Sequence, residues 1–314
     1  MNTRDIEAFV AVVETGSIVA ASARLHLTQP GVTRRIQSLE ERLGTELLFR
    51  QSKPLRPTPA GREAYELGRR VLRSVSDLVV GLANGADVGG EFRLGVTPFL
   101  ADTALAAPLD RLRATYRNLA LRLSSAWSPA LMTQVTESRI DAAALFLADG
   151  VAPPPHLAAE VLGSQRVLIV AARDADLPRR TTLRTLSEQG WVLNPDGCGF
   201  RSAIRHAIES TRLPFEVAGE ALGPELQLSL VARGMGIGLA TRPTFEANRY
   251  RDKLREIEVT DFKPSVHTWL IHRPPAGRLA GPIKFFGAAL AEAQAKRGQD
   301  TGRRGKRKTA SPES

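Results

Sequence analysis

The sequence predicts an α/β chain in three parts: a small helical start closed by a hairpin, one long helix, and a larger region in which strands and helices alternate. Three observations predict it. Apolar residues recur at helical spacing between Ile6 and Leu43. A long amphipathic stretch headed by proline follows at Pro59. Beyond the turn-rich "NGADVGG", short β-rich runs alternate with helical ones. With 314 residues, 43% of them hydrophobic, the chain can fill two or three domains and bury a sizeable core.

Composition removes several classes. The longest clean apolar stretches are of the size of "RVLIVAA", too short for a membrane span. The start "MNTRDIEAFV" puts charged residues ahead of an interrupted apolar pattern and lacks a cleavage signature, which argues against a signal peptide and for a cytoplasmic protein. The single cysteine, Cys198, fits a reducing compartment and excludes an intramolecular disulfide. The formal charge is +10, but residues 296–314 hold seven Lys/Arg against Asp300 and Glu313, and residues 1–60 hold eight basic against six acidic side chains. Bulk charge therefore does not locate a nucleic-acid site, and pattern has to.

In the first helix Ile6, Phe9, Val10 and Val13 form one apolar stripe, and Gly16 is placed to stop it. Ser17 caps an alanine-rich second helix, "IVAASARL", whose small side chains allow close approach. Thr28 caps a third, with Pro30 tolerated in the first turn and Val32, Ile36, Leu39 and Leu43 facing inward until Gly44. Pro30, Arg34 and Gln37 then point outward, with Thr33 and Arg35 on the flanks. A short, polar, basic N-terminal half is what a recognition helix needs, because arginine can bond guanine bidentately and glutamine adenine. The plainer alternative is the solvated face of an ordinary three-helix bundle. Next, "ELLFRQSKPLRPTPAG" reads as a small hairpin with Arg50, Lys53 and Arg56 near its tip. Pro54 and Pro57 cannot donate ladder hydrogen bonds, so its strands must be short or at an edge. Together these elements predict a winged helix-turn-helix, the wing lying on phosphates or in the minor groove.

The stretch "FVAVVETGSIVAASARLHLTQPGVTRRIQSLEERLGTELLFR", followed by "TPAG", resembles the DNA-binding domain of LysR-type transcriptional regulators nearly position for position. Ile18 departs from the usual Phe, Ser22 from an alanine, and Leu48 from the Phe of the "LF-x-R" signature. The resemblance implies DNA contacts from Thr28, Gln29, Pro30, Thr33, Arg34 and Arg35 on the recognition helix, and from Arg50, Lys53 and Arg56 on the wing.

Thr58 and Pro59 form a strong helix start. Through "AGREAYELGRRVLRSVSDLVVGLANG", Ala64, Leu67, Val71, Val75, Leu78 and Leu82 approach a coiled-coil seam, while Arg62, Glu66, Arg69, Arg70, Arg73 and Asp77 occupy the other face. Such a helix needs a partner, either its own domain or a second copy; the resemblance implies a dimer-forming linker. A symmetric dimer would present two recognition helices to an imperfect inverted repeat in double-stranded DNA.

The remainder reads as layered α/β units with a largely parallel sheet: a strand through Phe92, Leu94 and Val96, a helix from Phe99 to Tyr116, "LALRL", a helix from Pro129 to Glu137, "IDAAALF", "RVLIVAA" and "WVLN". The resemblance implies two lobes, like a periplasmic binding protein, joined by crossing strands near 160–166 and 264–270 with an effector between them. Thr97-Pro98 (with Phe99 beyond) and Ser128-Pro129 are cap-and-proline helix starts, Gly223-Pro224 opens another helix, and the glycine-rich "NPDGCGFR" precedes a helix with Arg201 at its start as an anion partner. Helix N-termini attract carboxylate or phosphate, which favours an organic anion as effector, although each junction alone is more often plain capping. The string "ARGMGIGLATR" resembles the family's "A-x-G-x-G-I" signature.

Cys198 has no resolving partner, which favours an unreactive thiol over a redox sensor. The five histidines show no metal-ligand spacing, and no G-x-S-x-G, H-E-x-x-H or phosphate-loop string occurs, so neither a metal, a cofactor nor catalysis is expected. The expected division is 1–58 winged helix, 59–86 linker helix, 87–298 effector domain and 299–314 a disordered basic tail. Within the effector domain, lobe I is expected over about 91–162 and 268–298, and lobe II over about 163–267. The tail either strengthens DNA binding or is merely solvated. The expected function is an effector-controlled regulator, homodimeric or homotetrameric, with RNA polymerase as a further partner by resemblance. Its rivals are a solute-binding protein, an enzyme on a two-lobed scaffold, and a constitutive DNA binder with a vestigial sensor.

Overall fold

The computed structural model describes residues 2–81, 88–100 and 105–308, which divide into two compact units, Met1–Ala86 and Asp87–Ser314. In the first, α1 (Thr3–Thr15) opens with a reciprocal cap: Asn2 accepts from the Arg4 N–H, and Asp5 accepts from the Asn2 N–H. Gly16 ends it in the left-handed region at φ 66°, and a Cβ there would lie 2.9 Å from the Pro54 Cβ. The helices α2 (Ile18–Leu25) and α3 (Gln29–Leu43) are capped by Ser17 and Thr28, whose hydroxyls accept from the N–H groups of Ala20 and Gly31. Ile6, Phe9, Val10, Ala21, Val32, Ile36 and Leu39 make the core with Leu47 and Leu48. Leu43, expected in the stripe, is instead 46% exposed, because the last turn of α3 runs past the end of that core.

The wing is β1 (Leu48–Phe49) paired antiparallel with β2 (Arg56–Pro57), as short as its prolines imply. Thr58 then ties it to α4 (Pro59–Gly81), its hydroxyl donating to the Glu46 carbonyl at 2.8 Å and accepting from the Gly61 N–H at 2.9 Å. On α4, Ala64, Tyr65 and Leu72 pack against the core. Leu67, Val71, Val75 and Leu78 are exposed; Leu82, the last expected seam position, lies outside the described residues.

The second unit begins with three parallel strands in the order β4 (Leu119–Ser125), β3 (Gly90–Val96), β5 (Ala142–Ala148). Between them run α5 (Ala106–Thr115) and α6 (Ser128–Thr136). The helix expected from Phe99 to Tyr116 is interrupted: residues 98–100 are helical, 101–104 lie outside the described residues, and α5 starts afresh after Leu105 with Pro108 in its first turn. Proline favours a helix start over a helix interior, which accounts for the break.

Strand β6 (Ala158–Ala172) pairs with β12 (Ser265–His272) as far as Arg166, and from Val167 with β10 (Gly238–Thr241) and β11 (Leu254–Val259). The chain thus leaves lobe I at Arg166/Val167 and returns through 260–264, where the Val167 N–H donates to the Pro264 carbonyl at 2.9 Å. The expected second crossing at 264–270 falls instead mostly inside β12, which pairs within lobe I. Lobe II adds β7 (Arg180–Thr181), α7 (Leu183–Ser187), β8 (Trp191–Leu193), α8 (Gly199–Ser210), β9 (Val217–Glu220), α9 (Pro224–Val231) and α10 (Arg242–Ala247). The sheet is mixed rather than largely parallel, because the strands that carry the chain out of a lobe and back must oppose one another.

One apolar cluster joins both lobes, with Phe92, Phe99, Phe146 and Phe286 from the first and Val167, Trp191, Phe200 and Ile204 from the second. The final helix, α11 (Ala280–Lys308), carries helical structure through 299–308, where disorder was expected; 309–314 lie outside the described residues. Extending a formed helix needs no new nucleus, and Gln, Arg and Lys are good helix formers. No described helix is long and apolar enough to cross a membrane.

Candidate nucleic-acid interface and effector cleft

The cap at Thr28 and the inward stripe of α3 dictate what its N-terminal half shows to solvent. Gln29, Pro30 and Arg34 are exposed, as is Thr28, although the Thr28 hydroxyl accepts from the Gly31 N–H at 3.2 Å. Thr33 is half-buried and its hydroxyl donates back to the Gln29 carbonyl at 3.0 Å. Arg35 turns toward α1, its Nη1 3.5 Å from the Asp5 Oδ1. On the wing, Lys53 and Arg56 are exposed and have no ion pair among the described residues. Arg50 differs: its Nη2 lies 2.7 Å from the Oε2 of Glu40, whose other oxygen accepts from the Leu47 N–H at 2.8 Å.

Of the nine residues singled out from sequence, Gln29, Pro30, Arg34, Lys53 and Arg56 therefore present unspent surface, whereas Arg35 and Arg50 brace the domain. Asp5 and Glu40 are what the sequence reading missed. Glu40 follows Leu39 and stands four residues after Ile36, so it sits on the buried face; an acid there signals an internal cationic partner. Arginine and glutamine exposed within the first two turns of a helix, beside a basic hairpin, can bond base edges and phosphate together.

In the second unit, the ends of β3 and β4 meet the glycine-rich turn before α8. Thr97 is 2% exposed, and its hydroxyl has no hydrogen-bond partner among the described residues. Pro98 is half-buried, and Phe99 is buried with its ring centroid 4.5 Å from that of Phe200 and 6.5 Å from that of Trp127. Phe146 closes the same group, 5.7 Å from Phe200. Gly199 must lack a side chain, since a Cβ would lie 2.9 Å from the Phe146 carbonyl oxygen. Ser128 does not cap α6 as expected; Trp127 holds that position, and the Ser128 hydroxyl donates to the Phe146 carbonyl at 2.7 Å.

Arg201, expected as a free anion partner, is already neutralised: its Nη1 lies 2.5 Å from Glu220 and its Nε 3.1 Å from Asp196. The register of β8 beside β9 pairs Leu193 with Glu220 and so delivers that acid, a pairing invisible in the local sequence. Gly223, at φ 88°, is pinned by its N–H to the Asn194 Oδ1 at 2.8 Å, and the Asn194 Nδ2 donates to Gln227 at 2.6 Å. This buried Asn194–Gln227 pair went unnoticed in the sequence; an asparagine ending an apolar strand was its only signal. The Thr97 hydroxyl does not supply the side-chain cap expected of it, whereas Gly223-Pro224 does open a helix, as expected. Cys198 is 3% exposed, and burial pushes its thiol up to about 11. No group of three or more metal-ligating side chains is found among the described residues.

Residues 3–62 match the family described as "Bacterial regulatory helix-turn-helix protein, lysR family", and residues 85–294 match "LysR substrate binding domain". The HTH-type transcriptional regulator GltR of Bacillus subtilis is 25% identical over 280 residues, covering 87% of this chain and 90% of its own. BenM of Acinetobacter baylyi is 29% identical over 257 residues, covering 78% and 81%. Among solved structures, full-length BenM aligns with a TM-score of 0.55 at 25% identity over 95% of this chain and 98% of its own. A full-length OxyR from Pseudomonas aeruginosa aligns with a TM-score of 0.71 at 15% identity over 92% and 94%, a likeness of fold. CbnR in complex with its target DNA gives 0.61 at 20% over 93% and 100%.

Proposed function

Because this chain belongs to the LysR family of DNA-binding transcriptional regulators, regulators rather than enzymes, we propose which of its residues read DNA and which answer to an effector. Gln29 and Arg34 read base edges in the major groove, Pro30 packs beside them, and Lys53 and Arg56 hold phosphates from the wing. Thr28, Thr33, Arg35 and Arg50 shape and brace that surface. Residues 1–58 form the DNA-binding domain, 59–86 pair with a second copy, and 87–298 hold the effector cleft. A dimer, or a tetramer built from two, spans an imperfect inverted repeat in the cytoplasm and acts with RNA polymerase there.

The effector, an organic anion in this reading, enters between the lobes beside Thr97, Phe99 and Ser128, and shifts operator binding by preferring one lobe arrangement. The buried, unpartnered Thr97 hydroxyl supports a polar ligand atom at that place.

The observation that carries the DNA assignment is the exposure of Gln29 and Arg34 within the first two turns of α3 while Arg35 is drawn inward. Arg34→Ala is expected to cost about 1–3 kcal/mol of preference for operator over random DNA, with fold and oligomeric mass unchanged. Competition binding measures the preference, and an unaltered ratio would reject the assignment.

A further inference from the structure

Lobe II contains a cavity of about 420 Å³ that the effector reading does not use. Its charged lining is Arg173, Arg179, Arg242, Arg251, Arg255 and Glu256, contributed by the loop after β6, α10, the turn before β11, and β11 itself. None of these residues belongs to the group around Thr97, Phe99 and Ser128.

The charge balance is unusual. Arg242 is satisfied, with Glu256 at 2.7 Å and Glu246 at 3.8 Å. Arg173, Arg179, Arg251 and Arg255 pair with no carboxylate among the described residues. Arg255 is held in place by donating Nη2 to the carbonyls of Ala175 at 2.9 Å and Leu177 at 2.6 Å. Its Nε and Nη1 are nevertheless shut off from solvent without a hydrogen-bond partner. Arg251 is steadied over the Phe245 ring, 4.4 Å from guanidinium carbon to centroid. Two of the arginines are thus positioned by contacts that leave donors unused.

Buried guanidinium donors left unpaired are costly, and like charges around a concavity repel. An oxyanion offsets the repulsion directly and, with Arg255 turned toward the cavity, pairs its enclosed donors too, because the guanidinium fork matches carboxylate and phosphate bidentately. A volume of this size is in the range of small-ligand sites. We propose that this cavity is a second ligand site, for a small multiply charged oxyanion, built into lobe II and independent of the operator and cleft assignments above.

The test uses the full chain and isothermal titration with pyrophosphate and, separately, citrate at fixed ionic strength, which distinguishes phosphate-bearing from carboxylate ligands. Saturable binding of either is expected, weakened about tenfold or more in the Arg179→Gln/Arg251→Gln double variant. Both substituted side chains lie outside the apolar core, and circular dichroism of the variant checks the fold; Arg255→Lys, which keeps a charge but loses the fork, should weaken binding as well. Absence of saturable heat with both anions overturns the proposal, as does binding that the double variant leaves intact. Weakened DNA binding in that variant without any anion binding overturns it too, by assigning these arginines to the DNA backbone.

Discussion

Burial pushes the Cys198 thiol up to about 11, although the backbone N–H groups of Arg201 and Phe200 and the Arg201 charge draw it part of the way back. The raised value favours the neutral thiol in the folded chain. Its contribution to stability is therefore complete below the ordinary value of 9.0 and is lost as pH rises from there through about 11. At pH 8 the thiol is both protonated and enclosed, so an aromatic disulfide reagent should label it only after denaturation. Rapid stoichiometric labelling of the native protein would show the enclosure to be wrong. The neighbouring Arg201 is likewise held within the fold. Its place after a glycine-rich turn suggested a ligand partner, yet Glu220 and Asp196 already hold it. Arg35 and Arg50 repeat the pattern through Asp5 and Glu40. Residue type and helical phase told which arginines could face outward; which of them were free depended on acids placed by tertiary contacts.

Among the elements, α4 is packed on one face only. Ala64, Tyr65 and Leu72 give one face to the N-terminal core, but Leu67, Val71, Val75 and Leu78 stay 46%, 40%, 39% and 63% exposed at spacings that suit knobs-into-holes packing. A stripe of this kind calls for a second helix, and the proposed partner is the same stripe of another copy. Val71→Glu/Val75→Glu is expected to halve the mass seen by light scattering, or halve it twice from a tetramer, and to remove the preference for an inverted repeat over a single half-site. Unchanged mass would place the dimer contact elsewhere. Several helix starts and stops of the first unit were legible because each has a local cause, Ser17, Thr28 and Thr58 as caps and Gly16 and Gly44 in the left-handed region; the Asn2 cap of α1 and the left-handed His26 that ends α2 were not. The extent of β6 was not, since its fifteen residues are held by different partners at its two ends and only the last six are buried without interruption.

At the scale of the whole second unit, the two lobes are distinct in their pairing yet continuous in their core. Strand β6 changes partners at Arg166/Val167, so the crossing strands alone would leave a cleft lined by polar strand ends. What fills the junction is Phe200 of lobe II, set among Phe99 and Phe146 of lobe I by a glycine turn that lets α8 approach β5. Phe200 is 2% exposed, and its removal would leave a cavity that two lobes, each tied to its own strands, cannot readily collapse around. Phe200→Ala should therefore lower the unfolding free energy of this unit by about 3–5 kcal/mol. Urea denaturation followed by tryptophan fluorescence reads it, since Trp127 and Trp191 lie on opposite sides of the junction. In the parent protein both lobes should unfold in one transition, because each buries apolar surface against the other. A loss below about 1 kcal/mol on removing Phe200 would mean that the lobes are held by their strands alone. An effector entering beside Thr97 would then have no shared core to rearrange, and the link from ligand to lobe movement would have to run elsewhere.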